Sequence, residues 1–512
     1  RGCPILVMDA EANPPRQVLE SKKGGQKPKM EPLLDGKDQN RYGEIWKAQF
    51  RSKSWTGSKE YAVELTTATF RIQGCEYEIE DIVGASLIDG GFCTHAYPLK
   101  ACCGCWGKPD RSYTPLRLYT TDSKLAADWV KRINHLARGL PPTTEPVPDR
   151  KMLVYINPFS GVGQAPKLFK SVRPMLEQAG IKTEVVVTKK SGQVEEEITK
   201  IDLDAYEATI IVSGDGLIFE YLTGIMNRSD WPQTIQKPFG VLPGGTGNGL
   251  AASLRNSSGE PMTPLGSAML IAKGKKSPLD LLQFKQSGFP PKYGFLSLTW
   301  GFFSDLDLNS EVCRCCGTLR FECYAIQLLC NFKSYKGSVK YIKSIDKPSI
   351  TREEKLSAKG IRLLKEAVIT SQPGSLPDSK LPEIGEDTKW EEVGADRYSM
   401  LLALNTSMQS EDVILAPGAK LDDGFIHLTY LQGHSCCSTL RALLRFEDGS
   451  MFKDPNYKRI NVERVRIEPD KSTPSLFSLD GEHADDHTSP IDLTVFPSVL
   501  TVFTGGGATA SR

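Results

Sequence analysis

The chain has 512 residues, with 63 Lys and Arg against 62 Asp and Glu, for a formal net charge of +1. Such a balance argues against a nucleic-acid-wrapping surface, which needs a basic excess to displace counterions. With 39% hydrophobic and 24% charged residues the chain reads as globular, and its length allows roughly three to four domains.

No apolar run approaches the roughly eighteen residues of a membrane-spanning helix. The stretch Pro4 to Met8 is too short for a secretory signal. Thirteen cysteines occur, several adjacent or nearly so: Cys102, Cys103 and Cys105; Cys313, Cys315 and Cys316; Cys436 and Cys437. Adjacent thiols seldom bridge each other, so reduced thiols and a cytoplasmic location are expected.

Residues 1–40 are rich in Pro, Gly, Lys and Gln, and disorder is expected there. Residues 41–140 form a first domain. Phe70, Ile72, Tyr77 and Ile79 hint at alternating strands, as do Leu116, Leu118 and Tyr119. Leu125, Trp129, Ile133 and Leu136 then share one face of a helix. Several strands closed by one Trp-bearing amphipathic helix resemble a pleckstrin-homology-like α+β domain. Pro141, Pro142, Pro146 and Pro148 make a stiff linker.

Residues 150–277 alternate strand and helix, which predicts a doubly wound, mostly parallel sheet in an α/β domain. The strands are Met152 to Ile156, Thr183 to Val187, Thr209 to Val212 and Phe239 to Leu242. Residues 278–505 keep the strands and lose the helices, which predicts an antiparallel β-sandwich domain. Residues 346–397 are polar and rich in Lys, Glu, Pro and Ser, and read as a flexible insertion.

Three glycine turns close successive parallel strands: Asn157 to Gly163, Ser213-Gly-Asp-Gly216 and Pro243-Gly-Gly-Thr-Gly-Asn-Gly249. Ligands of open α/β sheets bind at that edge. Glycines let backbone N–H groups approach an anion, so the three turns together predict a polyphosphate site. No G-x-x-x-x-G-K-[ST] occurs, no strict G-x-G-x-x-G follows the first strand, and the protein-kinase H-R-D and D-F-G are absent. Asp215 stands between two glycines beside that site. It is a candidate proton acceptor or Mg²⁺ ligand, or simply an Asp closing its own turn.

Ser213-Gly-Asp-Gly-Leu-Ile-Phe-Glu220, Leu242-Pro-Gly-Gly-Thr-Gly-Asn248 with Leu250-Ala-Ala-Ser253, and Leu298-Thr-Trp-Gly-Phe302 with Asp305-Leu-Asp307 resemble the diacylglycerol-kinase-type lipid kinases. Within them, the similarity is to the branch that phosphorylates long-chain bases. It covers roughly residues 150–345 and 398–505. It implies transfer from Mg²⁺-ATP to the primary hydroxyl of sphingosine or a related base, in a cleft between an α/β domain and a β-sandwich. Asp215 would be the general base. Asn157, Thr188, Ser213, Gly214, Gly216, Gly245 and Thr246 would line the nucleotide, with Arg314 and Arg320 reaching its phosphates. Asp480-Gly481-Glu482 would close over it. Asp307, with Ser297 nearby, would receive the cationic head group, and Phe302, Phe303 and Phe321 would flank the lipid tail.

Two alternatives accompany this reading. Ceramide kinases also carry a pleckstrin-like domain, but ceramide has no positive charge for Asp307 to select. A catalytically silent lipid- or protein-binding scaffold is motivated by Phe219, which stands where the family usually has His, and by the absence of basic residues in Gly161-Val-Gly-Gln164. Phe219 is expected in the shell on the phosphate side. The mixture of Leu328, Leu329 and Phe332 with Lys333, Lys336 and Lys340 is a basic amphipathic stretch over 324–340. It suggests peripheral contact with a membrane surface or a calmodulin-like partner.

Overall fold

The computed structural model describes residues 45–54, 57–72, 74–100, 109–310, 312, 320–343, 390–394, 396–433, 435–473 and 475–505. Arg314, the Cys102 and Cys313 clusters and most of the 346–397 insertion lie outside them. The chain falls into two compact units, residues 1–148 and 149–512.

In the first unit, seven strands form an antiparallel sheet. They are β1 (Trp46–Ser54), β2 (Gly57–Leu65), β3 (Thr69–Ile72), β4 (Cys75–Glu78), β5 (Ile82–Ile88), β6 (Gly91–Ala96) and β7 (Thr114–Tyr119). Their order is β4-β3-β2-β1-β7-β6-β5. Helix α1 (Ser123–Ala137) follows, and the Asp122 carboxylate caps it by accepting from the Leu125 N–H at 3.0 Å. The helical periodicity read from the sequence is met: Leu125, Trp129, Ile133 and Leu136 are all buried. Trp129 packs edge-on to Phe50 with ring centroids 5.1 Å apart, the geometry aromatic quadrupoles favour. Cys75 is disulfide-bonded, which departs from the expectation of reduced thiols throughout.

The second unit is built on one large sheet. Its parallel part comprises β8 (Arg150–Ile156), β9 (Ile181–Val187), β10 (Ala208–Ser213) and β11 (Phe239–Pro243), in the order β9-β8-β10-β11. Strands β8, β10 and β11 are buried almost throughout, as expected where helices cover both faces of a parallel sheet. Helices α2 (Ala165–Gln178), α3 (Asp215–Met226) and α4 (Gly249–Ser258) follow β8, β10 and β11. Gly180 lies just beyond α2 at φ +73°, the left-handed position glycine occupies at helix ends.

The antiparallel part is joined edge to edge to the parallel part. The long strand Ile491–Phe503 pairs with β11 at Phe239↔Val502 and with Lys276–Gln286 along most of its length. Strand β12 (Ser297–Gly301) runs between Arg397–Leu404 and Phe477–Leu479. Trp300 within it is fully buried, with Tyr398 at 5.7 Å and Tyr335 at 6.1 Å. At Gly301, φ is +93° and the chain turns at once into helix α5 (Phe302–Asn309). A side chain is strained in that region, so the glycine fixes where α5, which carries Asp305 and Asp307, begins.

Two expectations change here. The basic stretch over 324–340 is not one helix: helix α6 (Arg320–Cys330) ends, and strand Tyr335–Lys343 begins. Leu328, Leu329 and Phe332 pack on the antiparallel core. Within the expected insertion, Glu391–Glu392 is a short strand that pairs with Lys340 and Tyr341.

Candidate active site

The three glycine loops converge. The Ser160 hydroxyl in the first loop accepts from the Gly214 N–H in the second at 2.9 Å. A Cβ at Gly161 would lie 3.0 Å from the Gly244 carbonyl in the third. Asn248, held at φ +57°, fastens the third loop to itself. Its Oδ1 accepts from the Gly245 N–H, and its Nδ2 donates to the Gly245 carbonyl, both at 2.8 Å. Only near-bare backbone fits at these crossings.

Asp215 opens α3. Its carboxylate reaches beyond its own turn: Oδ2 accepts from the Gly249 N–H at 2.7 Å and Oδ1 from the Leu250 N–H at 3.2 Å. The first turn of α4 therefore aims the carboxylate. Burial raises its pKa to about 6; the two amides pull it back, and the charge of Asp307 adds to the rise.

Asp307 lies across the cleft on α5, where the Ser478 hydroxyl donates to its Oδ2 at 2.7 Å. Asp305, two residues earlier, is buried and held by the Tyr335 hydroxyl and the Lys333 ammonium, each at 2.7 Å. Of the two motif carboxylates, only Asp307 lines the cleft.

Asp480 lines the cleft with Gly481 and Glu482 and also fastens its wall. Its oxygens accept from the N–H groups of Phe295 at 2.8 Å, Leu296 at 3.1 Å and Ser297 at 2.7 Å. It is a buried clasp that sets the backbone of Ser297, and the residue itself sits at φ +51°. Burial raises its pKa to about 7, against the pull of these amides, and the Asp215 charge raises it further.

These groups surround one cleft of about 1050 Å³. Asn157, Thr188, Ser213, Gly214, Asp215 and Gly216 line it from the first two loops and nearby strand ends. Gly245 and Thr246 line it from the third, and Gly481 and Glu482 from the strand opposite. A Cβ at Gly216 would lie 2.3 Å from Glu482 Oε1, so that carboxylate already abuts the second loop. Ser297, Phe303, Asp307, Arg320 and Phe321 complete the walls.

Phe302 does not join them. It is 2% exposed and packs in the antiparallel core. Adjacent helical residues point about 100° apart, so Phe302 and Phe303 cannot both face the same slot. Phe219 is a second correction: it is buried against Phe284 at 6.2 Å and does not line the cleft. Phe219 therefore belongs to the core and not to the shell on the phosphate side. Lys190 does line the cleft, beside Thr188, and pairs with Glu196 at 2.9 Å.

Sequence reasoning missed Ser160, Asn248, Gln409 and Ser478. Each acts through a partner, and only the loop glycines gave any signal of close approach.

Comparison with known proteins follows the same outline. Residues 151–284 match the diacylglycerol kinase catalytic domain, and residues 388–504 match the YegS C-terminal NAD kinase beta sandwich-like domain. Sphingosine kinase 1 of Mus musculus is 32% identical over 342 residues, covering 65% of this chain and 86% of that protein. The chain belongs to the sphingosine kinase family, of the diacylglycerol kinase type. It is an enzyme, a lipid kinase. Sphingosine kinase 1 of Arabidopsis thaliana is 30% identical over 321 residues, and the chain spans 64% of its length. Sphingosine kinase 2 of Homo sapiens is 26% identical over 538 aligned positions, covering 81% of each chain. Among the described residues no helix is long and apolar enough to cross a membrane.

Proposed function

We propose that this kinase transfers the γ-phosphoryl group of ATP to the primary hydroxyl of sphingosine or a related long-chain base, with Asp215 as general base. The observation that carries the reading is the pairing of two carboxylates across one cleft. Asp215 stands among the glycine loops and Asp307 on the opposite wall, close enough for the charge of Asp307 to raise the Asp215 pKa.

In this reading the loop amides and Arg320 take the phosphates, where developing charge is stabilised without reorganisation. Two Asp215 lone pairs are occupied by the Gly249 and Leu250 amides. The remaining capacity accepts the proton of the attacking hydroxyl. A pKa near 6 leaves the base ionised at neutral pH yet more basic than an ordinary aspartate.

Asp307, with one oxygen held by Ser478, receives an ammonium rather than a neutral glycerol or amide head. Phe303, Phe321 and Phe446 offer an apolar slot beyond it. Among the described residues no cluster of three potential metal ligands occurs. Mg²⁺ held chiefly by nucleotide phosphates needs only one or two carboxylates, and Glu482 on the cleft wall is placed to supply one. Bound there, Mg²⁺ would neutralise phosphate charge.

The same reading makes the first unit a pleckstrin-homology-like domain and the lipid a guest received at a membrane surface. A helical calmodulin-type target over 324–340 is not part of it, since Tyr335–Lys343 is strand.

Labelled ATP offered with sphingosine, ceramide and diacylglycerol in parallel tests the proposal. Sphingosine should be the preferred acceptor. Preference for ceramide would favour the ceramide kinase alternative. Nucleotide binding with no transfer to any lipid would favour the silent scaffold.

A further inference from the structure

We infer that Gln409 is a positioning residue that makes the Ser297 hydroxyl an obligate hydrogen-bond acceptor toward the amino-alcohol head of the acceptor lipid. The inference rests on the long-chain-base reading above.

Ser297 Oγ donates to Gln409 Oε1 at 3.0 Å, and both residues line the cleft. A serine hydroxyl has one proton. With that proton committed to Gln409, only its lone pairs remain for a ligand. Asp307, on the same cleft, is acceptor-only when ionised. The walls around the head group thus present acceptors and select a guest rich in donors, such as an ammonium beside hydroxyls.

The placement of Gln409 is built in from both sides. The Asp480 clasp fixes the Ser297 backbone, and the hairpin bearing Gln409 is pinned to α4. Fully buried Arg255 donates to Glu411 Oε1 at 2.7 Å, and the Ser253 hydroxyl accepts from the Met408 N–H at 3.2 Å. A Cβ on Gly249 would lie 2.9 Å from the Gln409 carbonyl, and the Gly249 N–H is the one that holds Asp215. Gln409 therefore stands between the group that aims the base and the group that meets the head.

Its amide nitrogen is enclosed and finds no acceptor among the described residues. An enclosed, unsatisfied N–H₂ is costly. A residue kept only for packing would carry an apolar side chain of similar size there.

The test compares Gln409→Leu, Gln409→Glu, Ser297→Ala and the double variant Ser297→Ala/Gln409→Leu, in the full chain with sphingosine and ATP. Gln409→Leu frees the Ser297 proton, and the KM for sphingosine should rise about tenfold, the scale of one lost hydrogen bond to a charged group. The KM for ATP should stay put. Gln409→Glu keeps an acceptor oxygen and should hold the sphingosine KM near the wild-type value. In the Ser297→Ala background, Gln409→Leu should add nothing further.

Equal effects of Gln409→Leu in both backgrounds would overturn the inference, as would a Glu variant as impaired as the Leu variant. A wild-type enzyme that leaves sphingosine unphosphorylated would sink the long-chain-base reading and this inference together. A wild type that phosphorylates it, with an additive double variant, would sink the inference alone.

Discussion

A Cβ on Gly245 would sit 2.4 Å from the Cα of Gly214, so the second and third glycine loops cross backbone against backbone. Neither main chain can retreat, because Gly214 is tied to Ser160 and Gly245 to Asn248. Gly245→Ala should therefore separate the loops and depress both ATP affinity and the melting temperature. Gly216→Ala is the contrast. Its Cβ meets only the end of the exposed Glu482 side chain, which can swing away, and alanine favours the helix by roughly 1 kcal/mol. That variant should fold at least as well as the wild type and lose affinity for ATP only. Calorimetry and nucleotide titration of the two proteins check the pair.

Asp215 and Asp480 have pKa values raised to about 6 and about 7, in both cases chiefly by burial. A general base works ionised, so kcat/KM should fall toward tenfold per pH unit below about pH 6. A plateau extending to pH 4.5 would contradict the assignment. For stability the sign is opposite to that of a salt-bridged carboxylate. A folded pKa raised above the unfolded value means the folded state holds more protons, so its contribution is present at low pH and is lost as pH rises through about 6 to 7. Asp215→Asn removes its share. Relative to wild type, this variant should melt higher at pH 8 than at pH 5.

The two motif carboxylates of α5 should separate cleanly. Asp305 anchors Tyr335 and Lys333 inside the unit. Asp305→Ala strands the Tyr335 hydroxyl, costs about 1–3 kcal/mol of stability, and should act on melting temperature first. Asp307 is partly exposed at the cleft. Asp307→Ala strands the small buried Ser478 hydroxyl, so its main effect should be a raised KM for sphingosine, with melting lowered less than in Asp305→Ala. The reverse pattern would place the head group at the wrong carboxylate.

The sequence made the glycine loops legible because each follows a buried apolar strand and precedes a helix. That pattern locates Asp215 with no knowledge of its partners. It could not show that Asp215 is held by Gly249 and Leu250, or that Asp480 clasps Phe295 to Ser297, because those pairings span 34 and more than 180 residues. Gln409 lay equally hidden, in a short hairpin with little pattern of its own. As adjacent aromatics Phe302 and Phe303 are indistinguishable in the sequence; helical geometry sends them to different places. The stretch over 324–340 misled through its lysines. Tyr335, Val339 and Tyr341 are buried at period two, a strand signature.

The most direct test of the account is the turnover of Asp215→Asn with saturating ATP and sphingosine, in a protein whose melting and ATP affinity show it folded. Loss of the general base should lower kcat by about 10²–10⁴-fold while nucleotide still binds. Near-normal turnover by that variant would contradict the central claim and return the cleft to another base.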